Sequence, residues 1–263
     1  MSIVRSKDGT QIGYEKTGTG PLLILVDGAL CSRANGPMAA LALPLAREFT
    51  VIRYDRRGRG ESGDTAPYAV AREVEDIEAL INAAGDRASV YGLSSGAALA
   101  LEAAAAGLPI MRLALYEPPF IVDDSRPPMP ADYVARLNQL LAEDRRGDMV
   151  AMFMRSVEVP AFFVGLMRLM PVWKKLTAVA NTLPYDLTIL SGNQAGKPLS
   201  PDRWAAVTIS TLVMDGGKSP PWMRHSAAAL AQVLPNAQRR TLPGQNHMIG
   251  AAALAPTLLE FFR

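Results

Sequence analysis

The sequence has few of the residues from which disulfides, zinc sites and membrane spans are built. Cys31 is its one cysteine, so no internal disulfide can form and no zinc site can rest on several thiolates. His225 and His247 are its two histidines, which argues against a metal site that needs several imidazoles. No apolar run approaches the roughly 18 residues of a transmembrane helix, and no signal-peptide core is present. We therefore expect a cytoplasmic protein with no metal.

Charge of one sign is also lacking. The chain has 27 Lys and Arg against 25 Asp and Glu, a net charge of +2 that gives no electrostatic case for binding nucleic acid or an anionic membrane. Apolar residues make up 49% of the 263 positions, enough for a sizeable buried core. We expect one large domain, or one domain with an insertion.

Strand and helix patterns alternate in the first half of the chain. Short apolar runs, typical of strands buried on both faces, occur at 22–26, 50–54, 88–91 and 113–116. Segments of helical length separate them at 38–47, 69–84 and 95–106. Asp8-Gly9 divides two β-like runs at 2–5 and 11–16 and predicts a hairpin. The alternation predicts a parallel sheet with helices on both faces.

The pattern changes between residue 118 and about residue 200. Helical periodicity and repeated prolines occur there, without a convincing strand. We predict a helical cap at 118–200, inserted into an α/β core formed by 1–117 and 201–263, where strand patterns return. The methionine and aromatic side chains of the cap are expected to pack its helices and to make the space beneath it apolar.

The sharpest chemical signal is the pentapeptide GLSSG at positions 92–96, which fits Gly-x-Ser-x-Gly. It falls where a predicted strand meets a predicted helix, the context in which this motif forms a tight turn that exposes a nucleophilic serine. Ser94 is therefore the candidate nucleophile. Ser95 is the alternative, but its flanks Leu93 and Ala97 are not the glycines that such a turn requires.

A serine hydroxyl needs an adjacent base to act as a nucleophile at neutral pH. His247 lies in a turn-rich loop between the last predicted strand and the last predicted helix, from which it can reach the strand ends. His225 lies inside a predicted helix beside Arg224, a setting typical of a surface or packing residue. His247 is therefore the candidate base.

These motifs, with the segment YDRRGRGES at 54–62, resemble the α/β-hydrolase superfamily in their order and over nearly the whole chain. The 54–62 segment is similar to the Asp-x-Arg-Gly-x-Gly-x-Ser loop of that superfamily, and we interpret its arginines as structural. The resemblance implies an α/β-hydrolase fold, with a mostly parallel eight-stranded sheet and the site at the carboxyl ends of its strands. No cofactor is implied, since no P-loop or dinucleotide fingerprint is present.

The resemblance places an oxyanion hole at the backbone N–H groups of Ala29 and Ser95. Most members have His-Gly after the third strand, whereas this chain has Asp27-Gly28. The donor survives that change because it belongs to the backbone. An ionised carboxylate aimed at a developing oxyanion would be unfavourable, so we expect Asp27 to face away and to pair with an arginine.

The acid of the triad is ambiguous in the sequence. Most members of the superfamily place it three residues after a glycine that ends the seventh strand, but that count from Gly216 reaches Ser219. Glu117 follows the sixth strand in a Glu-Pro context, similar to a minority of the superfamily with Asp-Pro there. Asp215 ends the seventh strand. Glu117 is the first candidate and Asp215 the second, and a chain with neither acid in that role stays open.

These residues predict a serine hydrolase that cleaves an ester, lactone or thioester with an apolar moiety through an acyl-enzyme on Ser94. Its expected partner is a small apolar ester-type substrate, and the sequence predicts no oligomeric state. Ser94 argues against haloalkane dehalogenases and epoxide hydrolases, which resemble this fold but use aspartate there. Perhydrolase activity, carbon–carbon bond hydrolysis and acyl transfer stay open. A catalytically impaired ligand-binding protein is the alternative, motivated by Ser219 and Asp27.

Overall fold

A single eight-stranded sheet runs through the computed structural model, which describes residues 2–263. Its strands in chain order are β1 Ser2–Arg5, β2 Gln11–Thr17, β3 Leu22–Val26, β4 Thr50–Tyr54, β5 Ala88–Leu93, β6 Ile110–Tyr116, β7 Ser210–Gly216 and β8 Ala237–Leu242. They lie side by side in the order β1-β2-β4-β3-β5-β6-β7-β8. Strand β2 is antiparallel to β1 and β4, and the other neighbours are parallel. The predicted mostly parallel sheet is confirmed.

Eleven α-helices and a short 3₁₀ helix at Ala180–Thr182 lie within the described residues. In chain order they are α1 Met38–Leu45, α2 Val70–Ala84, α3 Ser95–Ala105, α4 Tyr133–Ala142, α5 Arg146–Ser156, α6 Ala161–Met167, α7 Pro171–Ala178, α8 Leu183–Ile189, α9 Pro201–Trp204, α10 Pro221–Val233 and α11 Ala251–Phe262. Residues of α2, α3 and α10 pack on one face of the sheet, and residues of α1 and α11 pack on the other. Among residues 2–263, no helix has both the length and the apolar character needed to cross a bilayer.

Strand β3 shows why the central strands are continuous apolar runs. All five of its residues are buried. Because side chains alternate along a strand, Leu22, Ile24 and Val26 join the apolar layer beneath α2, α3 and α10. Leu23 and Leu25 join the opposite layer, beneath α1 and α11. Burial on both faces leaves no position for a polar residue, so the run is apolar throughout.

The chain between β6 and β7 is helical, and residues 117–209 contain no strand. This segment forms its own apolar cluster, which includes Tyr133, Leu137 and Met149. Leu30, from the loop after β3, belongs to the same cluster, so the helical segment packs onto that loop. The absence of strands agrees with the sequence pattern, while the division into a core and a cap at 118–200 stays a prediction.

The apolar side chains of α6 and the turn after it differ from the expectation. Phe162, Phe163, Leu169 and Met170 are exposed, with Leu169 at 84% of its full accessible surface. Helix α6 is apolar around most of its circumference, and Val164 is its one buried residue. The prediction that the aromatic and methionine side chains pack the cap is therefore wrong for Phe162, Phe163 and Met170, whereas Met167 packs against the apolar cluster of the helical segment.

Candidate active site

The chain reverses direction between β5 and α3, at Ser94. Its backbone has φ 58° and ψ −126°, a conformation that costs strain energy for a residue with a side chain. A Cβ atom on Gly92 would lie 2.4 Å from the Gly96 carbonyl oxygen, and one on Gly96 would lie 2.4 Å from the Val26 carbonyl oxygen. A larger residue at position 92 would therefore push α3 away from β5, and one at position 96 would push α3 away from the end of β3. The tight turn expected from GLSSG is present.

Ser94 lies at the mouth of this turn, against the loop that follows β3. A Cβ atom on Gly28 would lie 3.1 Å from Ser94 Cβ and 3.7 Å from Ser94 Oγ. The backbone N–H of Ser94 donates to the Tyr116 carbonyl oxygen at 2.9 Å, which fixes the turn to the end of β6. Because β5 and β6 are parallel neighbours, Ser94 and the residue after β6 both lie at the carboxyl ends of the strands.

That residue is Glu117, and its carboxylate meets His247. Glu117 Oε2 lies 2.8 Å from His247 Nδ1. Glu117 Oε1 accepts the backbone N–H of Gly216 at 2.7 Å. The side chain is fully buried, and these two hydrogen bonds offset the cost of removing its charge from water. Like Ser94, Glu117 has a positive φ, of 47°, at the carboxyl ends of the strands.

Asp215, the other candidate acid, faces a different set of partners. Its Oδ2 accepts a hydrogen bond from Arg239 Nη2 at 2.7 Å, and its Oδ1 accepts one from Thr241 Oγ1 at 2.8 Å. Both partners lie on β8, so the Asp215 carboxylate is occupied by the neighbouring strand. The structure therefore brings Glu117, and not Asp215, to His247.

His247 lies in the loop between β8 and α11, which Tyr116 anchors. The Tyr116 hydroxyl donates to the Asn246 carbonyl oxygen at 2.8 Å. Met248 N–H donates to the Asn246 side-chain oxygen at 2.9 Å, which tightens the turn around the histidine. Since a carboxylate only accepts hydrogen bonds, its contact with Glu117 places the proton of neutral His247 on Nδ1 and leaves Nε2 free to accept.

The structure does not join every candidate residue. The described residues form no hydrogen bond between the Ser94 hydroxyl and His247, whose bond goes to Glu117. In ligand-free enzymes such catalytic contacts are often long and shorten when a substrate binds. His225, the rival histidine, lies on α10, where its Nδ1 is 2.6 Å from Asp123 Oδ2 in an exposed pair. It is a surface residue, as its helical position predicts.

Asp27, which replaces the histidine of the usual His-Gly pair, is buried. The next residue, Gly28, lies against Ser94. Asp27 Oδ1 accepts the backbone N–H of Gly28 at 3.0 Å. Burial raises the pKa of this carboxyl from 3.8 to about 6, although the Gly28 hydrogen bond and the charges of Arg59 and Arg56 act in the opposite direction. The expected ion pair is not formed within residues 2–263: Arg56 Nη1 contacts the Asp27 carbonyl oxygen at 3.3 Å instead of the carboxylate.

The arginines of the 54–62 loop are buried and bound to carboxylates, in agreement with a structural role. Arg57 pairs with Asp76 and Asp8, and Arg56 pairs with Glu73. Arg56 and Arg59 both reach Asp186, on α8 of the helical segment. Asp186 could not be recognised in the sequence, because a single aspartate between Tyr185 and Leu187 belongs to no motif and its two arginine partners are more than 120 positions away.

Known proteins resemble this chain over most of its length. A sequence model described as the alpha/beta hydrolase family matches residues 29–257. The crystal structure of an alpha/beta hydrolase from Sphaerobacter thermophilus is 54% identical, with a TM-score of 0.91 over 100% of each chain. The crystal structure of the enol-lactonase from Burkholderia xenovorans LB400 is 21% identical, with a TM-score of 0.74 over 99% of each chain.

Among curated proteins, the uncharacterized hydrolase YraK of Bacillus subtilis is 33% identical over 98 residues. The match covers 36% of this chain and 35% of that protein. The chain therefore spans about a third of the curated relative that it matches.

Proposed function

The chain belongs to the alpha/beta hydrolase family, and we propose that it is a serine hydrolase that cleaves an ester, lactone or thioester with an apolar moiety. The observation that carries this proposal is the 2.8 Å contact between Glu117 and His247, at the sheet edge where the strained Ser94 turn emerges. A nucleophile, a base and a carboxylate that orients the base are the parts required for acyl transfer through a covalent intermediate.

In the first proposed step, Ser94 Oγ attacks the carbonyl carbon of the substrate, and the hydroxyl proton moves to Nε2 of His247. The Glu117 carboxylate accepts the Nδ1–H hydrogen bond, so it holds the ring in the tautomer whose Nε2 can take that proton. It also stabilises the imidazolium that results, because the two charges are opposite and Glu117 is buried.

The tetrahedral intermediate carries its negative charge on the former carbonyl oxygen. We propose that the N–H groups of Ala29 and Ser95 bind this oxygen. Collapse of the intermediate breaks the carbon–oxygen or carbon–sulfur bond, and the leaving alcohol or thiol takes the proton from Nε2. Water then gives a proton to Nε2 and attacks the acyl carbon, which releases the acid and restores the Ser94 hydroxyl. One water is consumed for each bond cleaved.

We propose the apolar substrate moiety from the surroundings of the loop after β3, which contains Ala29. Leu30, one residue beyond Ala29, packs in a cluster with Leu137 and Met149 of the helical segment. Ala29 is only partly buried and packs against the same cluster, so a substrate group beside Ala29 would lie next to apolar side chains. Such surroundings favour an apolar acyl or alcohol group, since polar groups would lose their hydration without compensation. The structural neighbour named an enol-lactonase acts, by its name, on a lactone, and at 21% identity its likeness concerns the fold.

The ligand-binding alternative is now less favoured. It was motivated by the serine at position 219, where most members of the superfamily have their acid, and by Asp27 in place of the usual histidine; only the first of these is removed by the structure. Glu117 supplies a buried carboxylate to His247 from another strand, so the absence of an acid at position 219 no longer argues for impairment.

Intact-mass spectrometry after exposure to a fluorophosphonate tests the proposal, with peptide mapping of the adduct. We expect one adduct on Ser94, no adduct in Ser94→Ala, and a much slower reaction in His247→Ala. Ser191→Ala is the matched control, because Ser191 is an exposed serine outside the site. The same variants should then be assayed with p-nitrophenyl esters of increasing acyl length.

If the Ser94→Ala variant hydrolysed these esters as fast as the wild type, the assignment of the nucleophile would be contradicted. A protein that binds an apolar ester analogue tightly, without an adduct or turnover, would favour the ligand-binding alternative.

A further inference from the structure

One carboxylate of the helical segment is connected to the first residue of α3 and, through Arg59, to the loop after β3. We call residues 27–31 of that loop the oxyanion loop. Asp186, on α8, is 1% exposed. Its Oδ1 accepts hydrogen bonds from Ser95 Oγ at 2.7 Å and from Arg56 Nη1 at 2.7 Å. Arg59 Nη2 lies 2.9 Å from Oδ1 and 2.8 Å from Oδ2. Although burial alone would raise its pKa, the charges of Arg59 and Arg56 hold the pKa of Asp186 below its ordinary value.

Arg59 carries this contact to the loop after β3. Its Nη1 donates to the Gly28 carbonyl oxygen at 2.6 Å and to the Cys31 carbonyl oxygen at 3.2 Å. Its Nε donates to Thr182 Oγ1 at 3.0 Å, so the planar guanidinium is held on every side. A guanidinium fixed in this way has one orientation available, and the Gly28 carbonyl is bound to it.

The Gly28 carbonyl determines where the Ala29 N–H points. The two groups belong to one peptide unit, and that peptide bond is trans. In a planar trans peptide the C=O and N–H bonds point in opposite directions. Arg59 therefore fixes the Ala29 N–H by holding the other end of the same unit, and its positive charge polarises the unit so that the N–H becomes a stronger donor.

Ser95 provides the other proposed donor and is tied to the same carboxylate. It is the first residue of α3, so its backbone N–H has no acceptor within the helix. Its hydroxyl donates to Asp186 at 2.7 Å, which fixes the first turn of α3 relative to α8. Both amide-bearing residues are thus connected to Asp186, one directly and one through Arg59.

We propose that Asp186 and Arg59 are positioning residues, which aim the Ala29 and Ser95 amides at the oxyanion and couple the hole to the helical segment. This inference rests on the proposed serine hydrolase activity. Arg59 acts through the Gly28 carbonyl, and Asp186 acts through Arg59 and the Ser95 hydroxyl. Loss of either should therefore weaken binding of the transition state more than binding of the ground state, and so lower kcat with little change in KM.

Two arginines of the same loop provide a matched pair for the test. Arg59→Lys keeps the charge but loses the fork that joins Gly28 to Asp186. Arg57→Lys removes an equally buried fork, whose partners are Asp76 and Asp8 and not the oxyanion loop. Turnover of p-nitrophenyl butyrate should be measured for both, with kcat normalised to the sites that react with a fluorophosphonate.

We expect Arg59→Lys to lower kcat roughly tenfold to a hundredfold with KM within about twofold, since a misaligned donor loses much of its effect. Its affinity for an alkyl trifluoromethyl ketone, whose adduct places an oxyanion in the hole, should fall by the same factor. Arg57→Lys should leave both values unchanged. Should Arg59→Lys fail to fold, the smaller changes Ser95→Ala and Asp186→Asn carry the same test, with an expected decrease in kcat of about threefold to tenfold.

Equal kcat in Arg59→Lys and Arg57→Lys, or a loss that appears only in KM, would overturn the inference. If neither Ser95→Ala nor Asp186→Asn lowers kcat, the network is structural only. Each of these failures differs from failure of the proposed function, in which Ser94→Ala would retain turnover.

Discussion

Glu117 and His247 are separated by 130 positions in the chain and by 2.8 Å between Oε2 and Nδ1. The strand order explains the contact: Glu117 follows β6, and His247 follows β8, with β7 between them. Gly216, the last residue of β7, donates its N–H to Glu117 Oε1. A Cβ atom on Gly216 would lie 2.5 Å from the Gln245 carbonyl oxygen. The glycine therefore leaves the space through which the acid and the histidine loop meet.

Exchange of the two candidate acids for amides separates their roles. Glu117→Gln should lower kcat by about three to four orders of magnitude, because the amide no longer stabilises the imidazolium or fixes the His247 tautomer. Asp215→Asn should leave kcat within about threefold, since its partners are Arg239 and Thr241. Steady-state kinetics on p-nitrophenyl butyrate measure both effects.

Thermal unfolding of the same two variants provides the control for this comparison. Asp215→Asn should lower the stability, because it leaves Arg239 without its buried charged partner. A large loss of kcat in Asp215→Asn, with normal kcat in Glu117→Gln, would contradict our assignment of the acid.

Tyr116 should affect both stability and turnover through the loop that carries His247. Tyr116→Phe removes the hydroxyl that binds the Asn246 carbonyl oxygen at 2.8 Å. We expect the free energy of unfolding to fall by about 1 kcal/mol and kcat to fall severalfold. Urea unfolding and ester hydrolysis measure the two effects. Tyr14→Phe, on β2 and away from the site, should change neither, and equal behaviour of the two variants would refute the anchoring role.

Asp27 should make the stability depend on pH. Burial raises its pKa from 3.8 to about 6, so between these values the folded protein binds a proton that the unfolded chain has released. The contribution of the protonated Asp27 carboxyl to the free energy of unfolding is therefore complete below about pH 4. It is lost as the pH rises through 6, which lowers the free energy of unfolding by an amount on the order of 3 kcal/mol. Asp27→Asn cannot titrate, so its stability relative to the wild type should increase with pH.

Urea unfolding of both proteins at pH 4.5 and pH 7.5 measures this difference, in which the contributions of the other titrating groups cancel. The same stability difference at the two pH values would show that the Asp27 carboxyl is not perturbed as described.

Two leucines of the helical segment should differ in their contribution to stability. Leu137 is fully buried in the cluster that contains Leu30, whereas Leu169 is 84% exposed. Leu137→Ala should lower the free energy of unfolding by about 2–5 kcal/mol, and Leu169→Ala should change it by less than about 0.5 kcal/mol. Chemical denaturation of the two variants checks this, and similar losses would mean that Leu169 is covered in solution.

Local patterns were sufficient to predict most of the sheet. The run 22–26 is apolar at every position because both faces of β3 are covered, and this is visible without knowledge of its neighbours. The GLSSG turn could be predicted for a similar reason, since the requirement for Gly92 and Gly96 arises from contacts that such a turn always makes.

The remaining features depend on distant partners. Glu117 and Asp215 both end apolar strands, and the register of Asp215 against Thr241 on β8 determines which acid is left for the histidine. The exposure of Phe162 and Leu169 depends on how the helical segment packs. Asp186 could not be predicted, because its significance comes from Arg56 and Arg59, which lie far away in the chain.

The order of the candidate site residues along the chain determines when the proposed triad becomes complete during translation. Ser94 and Glu117 leave the ribosome well before β8, the edge strand after which His247 follows. Until β8 is added, the nascent sheet ends at β7, and Asp215 has not yet met Arg239 and Thr241. A chain at this stage contains the proposed nucleophile and acid but no base. In the proposed mechanism such a chain cannot activate Ser94, so ester hydrolysis requires β8 and the loop that carries His247.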